Sequence, residues 1–251
     1  MIELDISAAS RTGCVRSQNE DMILVDNQFI RDDSYRKQTV LDHDDRLIVA
    51  VADGMGGHNR GDIASNDVLH NLQYFFFDIP SSLSAGDFNE AIVGWLESIN
   101  NYVASKGRAD EQFKGMGTTL VGFTYYNHEF YSMNCVDSRL YRFRNHQLVQ
   151  LSTDHSLSNM TGTTGSGKRS NVITNCIGGG CISSYIDMVQ MTDDVYPGDI
   201  FVLCSDGLTD MLPDEAISVL LEQNVDADTL CDAAIEAGGF DNVSCCVISV
   251  K

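Results

Sequence analysis

The chain is short of positive charge: Lys and Arg total 16 against 36 Asp and Glu, a formal net charge of -20 over 251 residues. That deficit argues against nucleic acid as a partner, because counterion release needs Lys and Arg against phosphates. It argues against anionic membrane surfaces for the same reason. Proline is scarce, at three residues, and no Pro-rich or Gly/Ser-rich linker interrupts the chain, so 1–251 is expected to form a single domain. Long apolar runs are missing as well. The longest bulky patch, Tyr74-Phe75-Phe76-Phe77, falls far below the roughly 18 residues that cross a bilayer. The opening residues Met1-Ile2-Glu3-Leu4-Asp5 lack the basic and apolar regions of a signal peptide, so a cytoplasmic location is expected. None of the eight cysteines forms a Cys-x-x-Cys pair, which argues against a zinc ribbon or a thioredoxin motif. Cys204, Cys245 and Cys246 sit inside apolar runs, where a reduced thiol packs as a small hydrophobe.

Hydrophobic residues make up 43% of the chain, enough for a packed core. Short apolar or β-branched runs bounded by polar turns cover 22–25, 47–51, 119–125, 130–136, 140–143, 200–203 and 243–250, the signature of strands. Tyr126-Asn127-His128-Glu129 and Arg144-Asn145-His146-Gln147 read as tight turns between antiparallel neighbours. Helical periodicity marks 63–76, and 88–105 with Asp87 as its cap and Glu90 three residues on. Trp95 belongs to the apolar face of that second helix and is expected in the core. Two shorter helices are expected over 214–222 and 227–237, the latter stopped by Gly238-Gly239. The order is strands, two helices, strands, two helices, a last strand. It predicts an α+β fold with helix pairs layered on antiparallel sheet rather than a parallel doubly wound sheet.

The acidic residues are placed in an unusual way. Asp53, Asp137 and Asp206 each follow an apolar run, Asp53 and Asp206 directly before a Gly, and Asp241 precedes Asn242 and the last strand. Asn19-Glu20-Asp21 opens the strand at Met22. One such Asp is ordinarily a solvated turn residue. Several converging strand ends would repel one another unless a cation sat among them. An all-oxygen ligand set selects hard cations, Mg²⁺ or Mn²⁺, over zinc or copper. Gly54, after Asp53, lets a backbone carbonyl approach the same ion. Arg16, four residues before Glu20, is the natural bidentate partner of two phosphate oxygens. An acidic metal cluster beside one Arg is the composition of a metal-assisted phosphoester hydrolase.

In this order along the chain, Arg16-Ser17-Gln18-Asn19-Glu20-Asp21, Asp53-Gly54-Met55-Gly56-Gly57, Gly117-Thr118-Thr119, Val136-Asp137-Ser138-Arg139, Thr153-Asp154-His155-Ser156, Ile173-Thr174-Asn175-Cys176-Ile177-Gly178, Ser205-Asp206-Gly207 and Asp241-Asn242-Val243-Ser244 resemble the motifs of the metal-dependent serine/threonine protein phosphatases of type 2C, in particular their bacterial single-domain members. The resemblance implies a four-layer α-β-β-α sandwich, two antiparallel sheets face to face with helix pairs outside. It implies hydrolysis of phosphoserine and phosphothreonine in proteins by a bridging metal-bound hydroxide, with two Mn²⁺ or Mg²⁺ ions and a third, weaker one.

The implied roles are specific. Asp53 bridges the two ions, the Gly54 carbonyl completes the first site, and Asp206 and Asp241 hold the second. Glu20 reaches a metal through water, Asp137 serves the third ion, and Arg16 holds the substrate phosphate. Asp21 and Asn242 support the ligands from behind. A phosphorylated protein is the implied substrate, a cognate serine/threonine kinase an implied partner, and a monomer the expected state. Three positions depart from the family pattern: Met55 where eukaryotic members have His, Val136 for Gly, and Asn175 for Arg. The flap, at about 157–172, is shorter than usual and rich in Gly and Thr. Within it, Gly162 to Lys168 fits the start of a nucleotide-binding loop. Arg169 stands where Ser or Thr would hold Mg²⁺, so nucleotide binding is not expected. His58 reads as a solvated loop residue. The competing function is a non-catalytic member of the same fold that binds phosphoproteins without hydrolysing them. It is disfavoured because Asp53, Asp206 and Asp241 are all retained.

Overall fold

The computed structural model describes residues 1–56, 60–155 and 175–251. Its strands in chain order are β1 (Ile2–Arg11), β2 (Met22–Val25), β3 (Gln28–Ile30), β4 (Ser34–Leu41), β5 (Leu47–Ala52), β6 (Gly54–Met55), β7 (Gly117–Thr118), β8 (Leu120–Tyr126), β9 (Glu129–Cys135), β10 (Arg139–Arg144), β11 (Gln147–Gln150), β12 (Ile177–Gly178), β13 (Asp187–Gln190), β14 (Ile200–Cys204) and β15 (Val243–Val250). Helices α1 (Gly61–Asp78) and α2 (Ala85–Ala109) separate β6 from β7. Helices α3 (Asp206–Thr209), α4 (Asp214–Leu221) and α5 (Ala227–Glu236) separate β14 from β15.

One six-stranded sheet runs β11-β10-β14-β15-β1-β4, the other β13-β9-β8-β5-β2-β3, and a short ribbon runs β12-β7-β6. Every ladder is antiparallel. Period-two alternation sends each strand's side chains to two different cores. Leu4, Ile6, Ile23, Val49, Val51, Phe123, Phe201, Leu203 and Ile248 fill the space between the sheets. From the second sheet, Leu24, Ile48, Ala50 and Met133 pack outward under Val68, Leu72 and Phe76 of α1 and Phe88, Ile92 and Trp95 of α2. From the first, Tyr141, Val202, Cys245 and Val247 pack outward under Ile217 of α4 and Leu230 and Ala234 of α5. The result is the expected helix–sheet–sheet–helix stack. Strands β5 and β14 are buried on both faces, which is why they read as unbroken apolar runs rather than alternating ones.

Both expected hairpins close through paired left-handed residues. Asn127 and His128 have φ of 47° and 69°, and Asn145 and His146 have φ of 51° and 62°. This is the type I′ geometry that matches strand twist. Trp95 lies in the core, its indole N–H donating to Asn71 Oδ1 at 2.8 Å. All eight cysteines are free thiols.

One expectation is corrected. The cap of α2 is Ser84, not Asp87. The Ser84 hydroxyl oxygen accepts from the Asp87 N–H at 3.2 Å, and its hydroxyl donates to the Asp87 carboxylate at 2.7 Å. Asp87 is therefore the third helical residue, and the helix starts about one turn earlier than the apolar stripe suggests. The flap at about 157–172, the stretch from Gly162 to Lys168, Ser156 and His58 lie outside the described residues. Among the described residues, no helix is long and apolar enough to cross a membrane.

Candidate active site

The strand ends of the two sheets bring the acidic residues to one edge of the sandwich. Glu20 and Asp21 stand just before β2, Asp53 between β5 and β6, and Asp137 between β9 and β10. These come from the second sheet. From the first come Asp206, the first residue of α3 after β14, and Asp241, between α5 and β15. Asp53 and Asp206 lie within hydrogen-bonding reach of each other, and Asp21, Asp137 and Asp241 are near enough to repel one or both. Arg16 Nη2 donates to Asp241 Oδ2 at 2.6 Å. The same guanidinium feels Glu20 and Asp53.

The backbone around Asp53 is held by the following ribbon. Thr118 Oγ1 donates to the Asp53 carbonyl at 2.8 Å, and the Thr119 N–H donates to the same oxygen at 2.9 Å. The Asp53 N–H in turn donates to Thr119 Oγ1 at 2.9 Å. Gly54 is wedged between two backbones. A Cβ there would lie 2.3 Å from the Gly61 carbonyl oxygen and 2.4 Å from that of Glu20. Asn242 fixes the Glu20 segment, accepting from the Glu20 N–H at 2.9 Å and donating to the Gln18 carbonyl at 3.0 Å. Asp154 is bound by the Arg139 fork at 2.7 to 3.2 Å, near enough for its charge to act on Asp137.

Burial shapes the electrostatics. It pushes the Asp53 carboxyl well above the ordinary carboxylate range, and the charges of Asp21, Asp206 and Asp137 push further. Burial and the neighbouring charges raise Asp206 as well, so the pair resists carrying two negative charges. Burial also lifts Asp21 to about 7, against hydrogen bonds from Ser244 and Ser205 that pull it down. Asp137 rises to about 7 through burial and then through the charge of Asp206. Carboxylates crowded this way want a cation between them. The donor set fits a hard divalent ion, since it is oxygen throughout, with no imidazole or thiol. Asp21 Oδ1 is moreover buried without a hydrogen-bond partner. Among the described residues no three such groups close as a coordination sphere.

The model of the family described as protein phosphatase 2C matches residues 24–229. The chain belongs to the protein phosphatase 2C family. It is 30% identical over 213 residues to the serine/threonine phosphatase stp of Listeria monocytogenes, covering 80% of this chain and 83% of that one. Among solved structures, it is similar to the S. agalactiae serine/threonine phosphatase, with a TM-score of 0.82 at 26% identity over 99% of this chain and 100% of that one. It is also similar to the catalytic domain of the phosphatase PstP in complex with two manganese ions, with a TM-score of 0.74 at 26% identity over 100% and 99% of the two chains.

Several residues that brace this phosphatase 2C site gave no sequence signal of their own. Ser205 donates to Asp21 Oδ2 at 2.8 Å from inside the core. Arg31, just beyond β3, donates to the Asp21 carbonyl at 2.7 Å and to the Asp62 carbonyl and Ser65 Oγ at 2.9 Å each. Ser65 Oγ then donates to the Glu20 carbonyl at 2.5 Å. Ser205 could have been found, because it lies inside the Ser-Asp-Gly motif. Arg31 could not, since nothing local distinguishes it from the other surface arginines.

Proposed function

We propose that residues 1–251 form one catalytic domain that hydrolyses phosphoserine and phosphothreonine in proteins, with Mn²⁺ or Mg²⁺ as cofactor. The observation that carries this reading is the convergence of Asp53 and Asp206 from opposite sheets, with Arg16 across the gap on Asp241. Asp53, the Gly54 carbonyl, Asp206 and Asp241 would hold two ions. Glu20 would act through water, and Asp137 would serve a third ion. When bound, the ions supply charge neutralisation for the carboxylates and the Lewis acidity that activates water against phosphorus.

The chain's own residues do the rest. Arg16 is half exposed and paired to a single carboxylate oxygen, so its fork is free to turn and grip two phosphate oxygens. Fixed in that pose, it orients the phosphoryl group and offsets charge that grows on its oxygens. Asn242, Ser65 and Arg31 hold the backbone of the Glu20–Asp21 segment beside Asp53. Met55 stands where eukaryotic members have His, and its thioether carries no proton to give the leaving group. A phosphoprotein supplied by a cognate serine/threonine kinase fits this chemistry, as does action as a monomer in the cytoplasm. The non-catalytic reading finds no support, since the carboxylates and Arg16 are all in place.

The test is hydrolysis of p-nitrophenyl phosphate and of phosphothreonine peptides against Mn²⁺ concentration, with wild type beside Asp206→Asn. Metal-dependent turnover is expected, reduced at least about a hundredfold by the substitution. A folded wild type that binds Mn²⁺ yet releases no phosphate would overturn the catalytic reading.

A further inference from the structure

Two of the positions at which this sequence departs from the family pattern, Val136 and Asn175, meet at one buried histidine. Val136 lies directly before Asp137, fully buried, with a φ of 93°. A β-branched residue is a genuine outlier there, and such strain persists only where the surroundings impose it. Here they do. The Val136 N–H donates to His155 Nδ1 at 3.1 Å, and the Val136 carbonyl accepts from the His155 N–H at 2.8 Å. The Asn175 side-chain amide nitrogen sits 2.8 Å from the same Nδ1 and donates to the Tyr185 carbonyl at 2.7 Å. Across the ring, His155 Nε2 lies 3.0 Å from Asp187 Oδ2. Two N–H donors aimed at Nδ1 require a lone pair there, so the ring proton sits on Nε2 and is donated to Asp187. The Tyr185 ring packs on the imidazole at a centroid distance of 4.4 Å.

We propose that His155 is a positioning residue: with Asn175 and Asp187 it holds the Val136 backbone in its left-handed conformation and thereby aims Asp137 into the acidic cluster. The proposal rests on the reading of Asp137 as a metal-binding carboxylate. A glycine at 136 would adopt this backbone unaided. With valine there, the conformation depends on the imidazole. The two departures from the pattern are thus one device, with Asn175 orienting the ring that Val136 needs.

The experiment is a double-mutant cycle between His155→Ala and Val136→Gly in the full chain, with Asp137→Asn alongside. Stability is read by urea unfolding, and Mn²⁺ binding by the electron paramagnetic resonance signal of free Mn²⁺. His155→Ala is expected to weaken the weakest Mn²⁺ site about tenfold, as loss of a ligand-orienting partner does. Most of that loss should disappear when residue 136 is Gly, and the stability effects should be non-additive. Additive stabilities would overturn the clasp. A Mn²⁺ isotherm changed by Asp137→Asn but untouched by His155→Ala would overturn the positioning role. An isotherm untouched by Asp137→Asn as well would refute the metal-binding reading of Asp137, and the positioning role with it. Should His155→Ala not fold, Asp187→Ala, at a half-exposed carboxylate, releases the same ring and should shift Mn²⁺ binding in the same direction by less. No shift from that variant would sink the proposal equally.

Discussion

At the scale of single residues, the site depends on close approach as much as on charge. Gly54 sits where the Asp53 turn crosses the start of α1, and a Cβ there would enter two backbone carbonyls at 2.3 and 2.4 Å. Neither oxygen can swing aside as a flexible side chain would. Gly54→Ala is therefore expected to cost about 3 kcal/mol and to spread Asp53 from Glu20, raising the Mn²⁺ needed for half-maximal turnover. Urea unfolding and a Mn²⁺ titration check this, and an alanine variant of wild-type stability would refute the crossing. Some of the carboxylates were legible in the sequence, because three of the six, Asp53, Asp137 and Asp206, follow an apolar run and two of those stand directly before Gly. Their supports were not. Ser205 lies inside a motif, but its reach to Asp21 crosses 184 positions of chain, and neither that contact nor the hold of Arg31 on the Asp21 carbonyl is encoded in any local pattern.

At the scale of elements, legibility followed burial. The doubly buried β5, β14 and β15 and the two long helices could be read from apolar periodicity alone. Strand β4 could not. It is an edge strand, pairs among the described residues only with β1, and exposes alternate residues such as Arg36 and Gln38, so its sequence Ser-Tyr-Arg-Lys-Gln-Thr looks like a loop. Polar edges of this kind are how sheets avoid pairing with other chains. Helix termini give a sharper handle. Asp226 caps α5, accepting from the Thr229 N–H at 3.0 Å and the Thr229 hydroxyl at 2.8 Å, and it also pairs with Arg36. Partial burial raises its pKa, but the Thr229 bonds and the Arg36 charge outweigh that and leave it below the ordinary 3.8. A depressed folded pKa contributes stability that is present above the unfolded value and is lost as pH falls through the folded one. Asp226→Ala should therefore cost about 1 kcal/mol at neutral pH. The gap from wild type should narrow once pH drops below about 4. Thermal unfolding of both proteins between pH 7 and about 3 measures it, and a gap that stays constant would show that the carboxylate charge plays no part in the cap.

At the scale of the whole molecule, each acidic motif read alone was ambiguous, and only the face-to-face stacking of the sheets makes them a cluster. The sequence could order the strands along the chain, but the order across a sheet, β11-β10-β14-β15-β1-β4, is set by pairings between distant segments such as β1 and β15. The same global view predicts substrate preference. The chain carries a net charge of -20, and Arg16, the cation placed at the cluster, is already paired to Asp241. A phosphopeptide with acidic flanks approaches against that field, and one with Lys or Arg flanks approaches along it. Metal ions held as proposed would neutralise the cluster locally and would not offset the chain's net charge of -20. Basic-flanked phosphothreonine peptides should therefore show the higher kcat/KM, mainly through faster association. Because the effect acts through solvent, it should shrink as added salt shortens the screening length from about 30 Å at 0.01 M to about 3 Å at 1 M. The measurement is kcat/KM for matched basic- and acidic-flanked peptides across that range at fixed Mn²⁺. A preference for basic flanks that fades with salt supports long-range steering. A salt-independent preference would instead locate the discrimination in direct contacts beside the site, and a preference for acidic flanks would refute the argument from net charge.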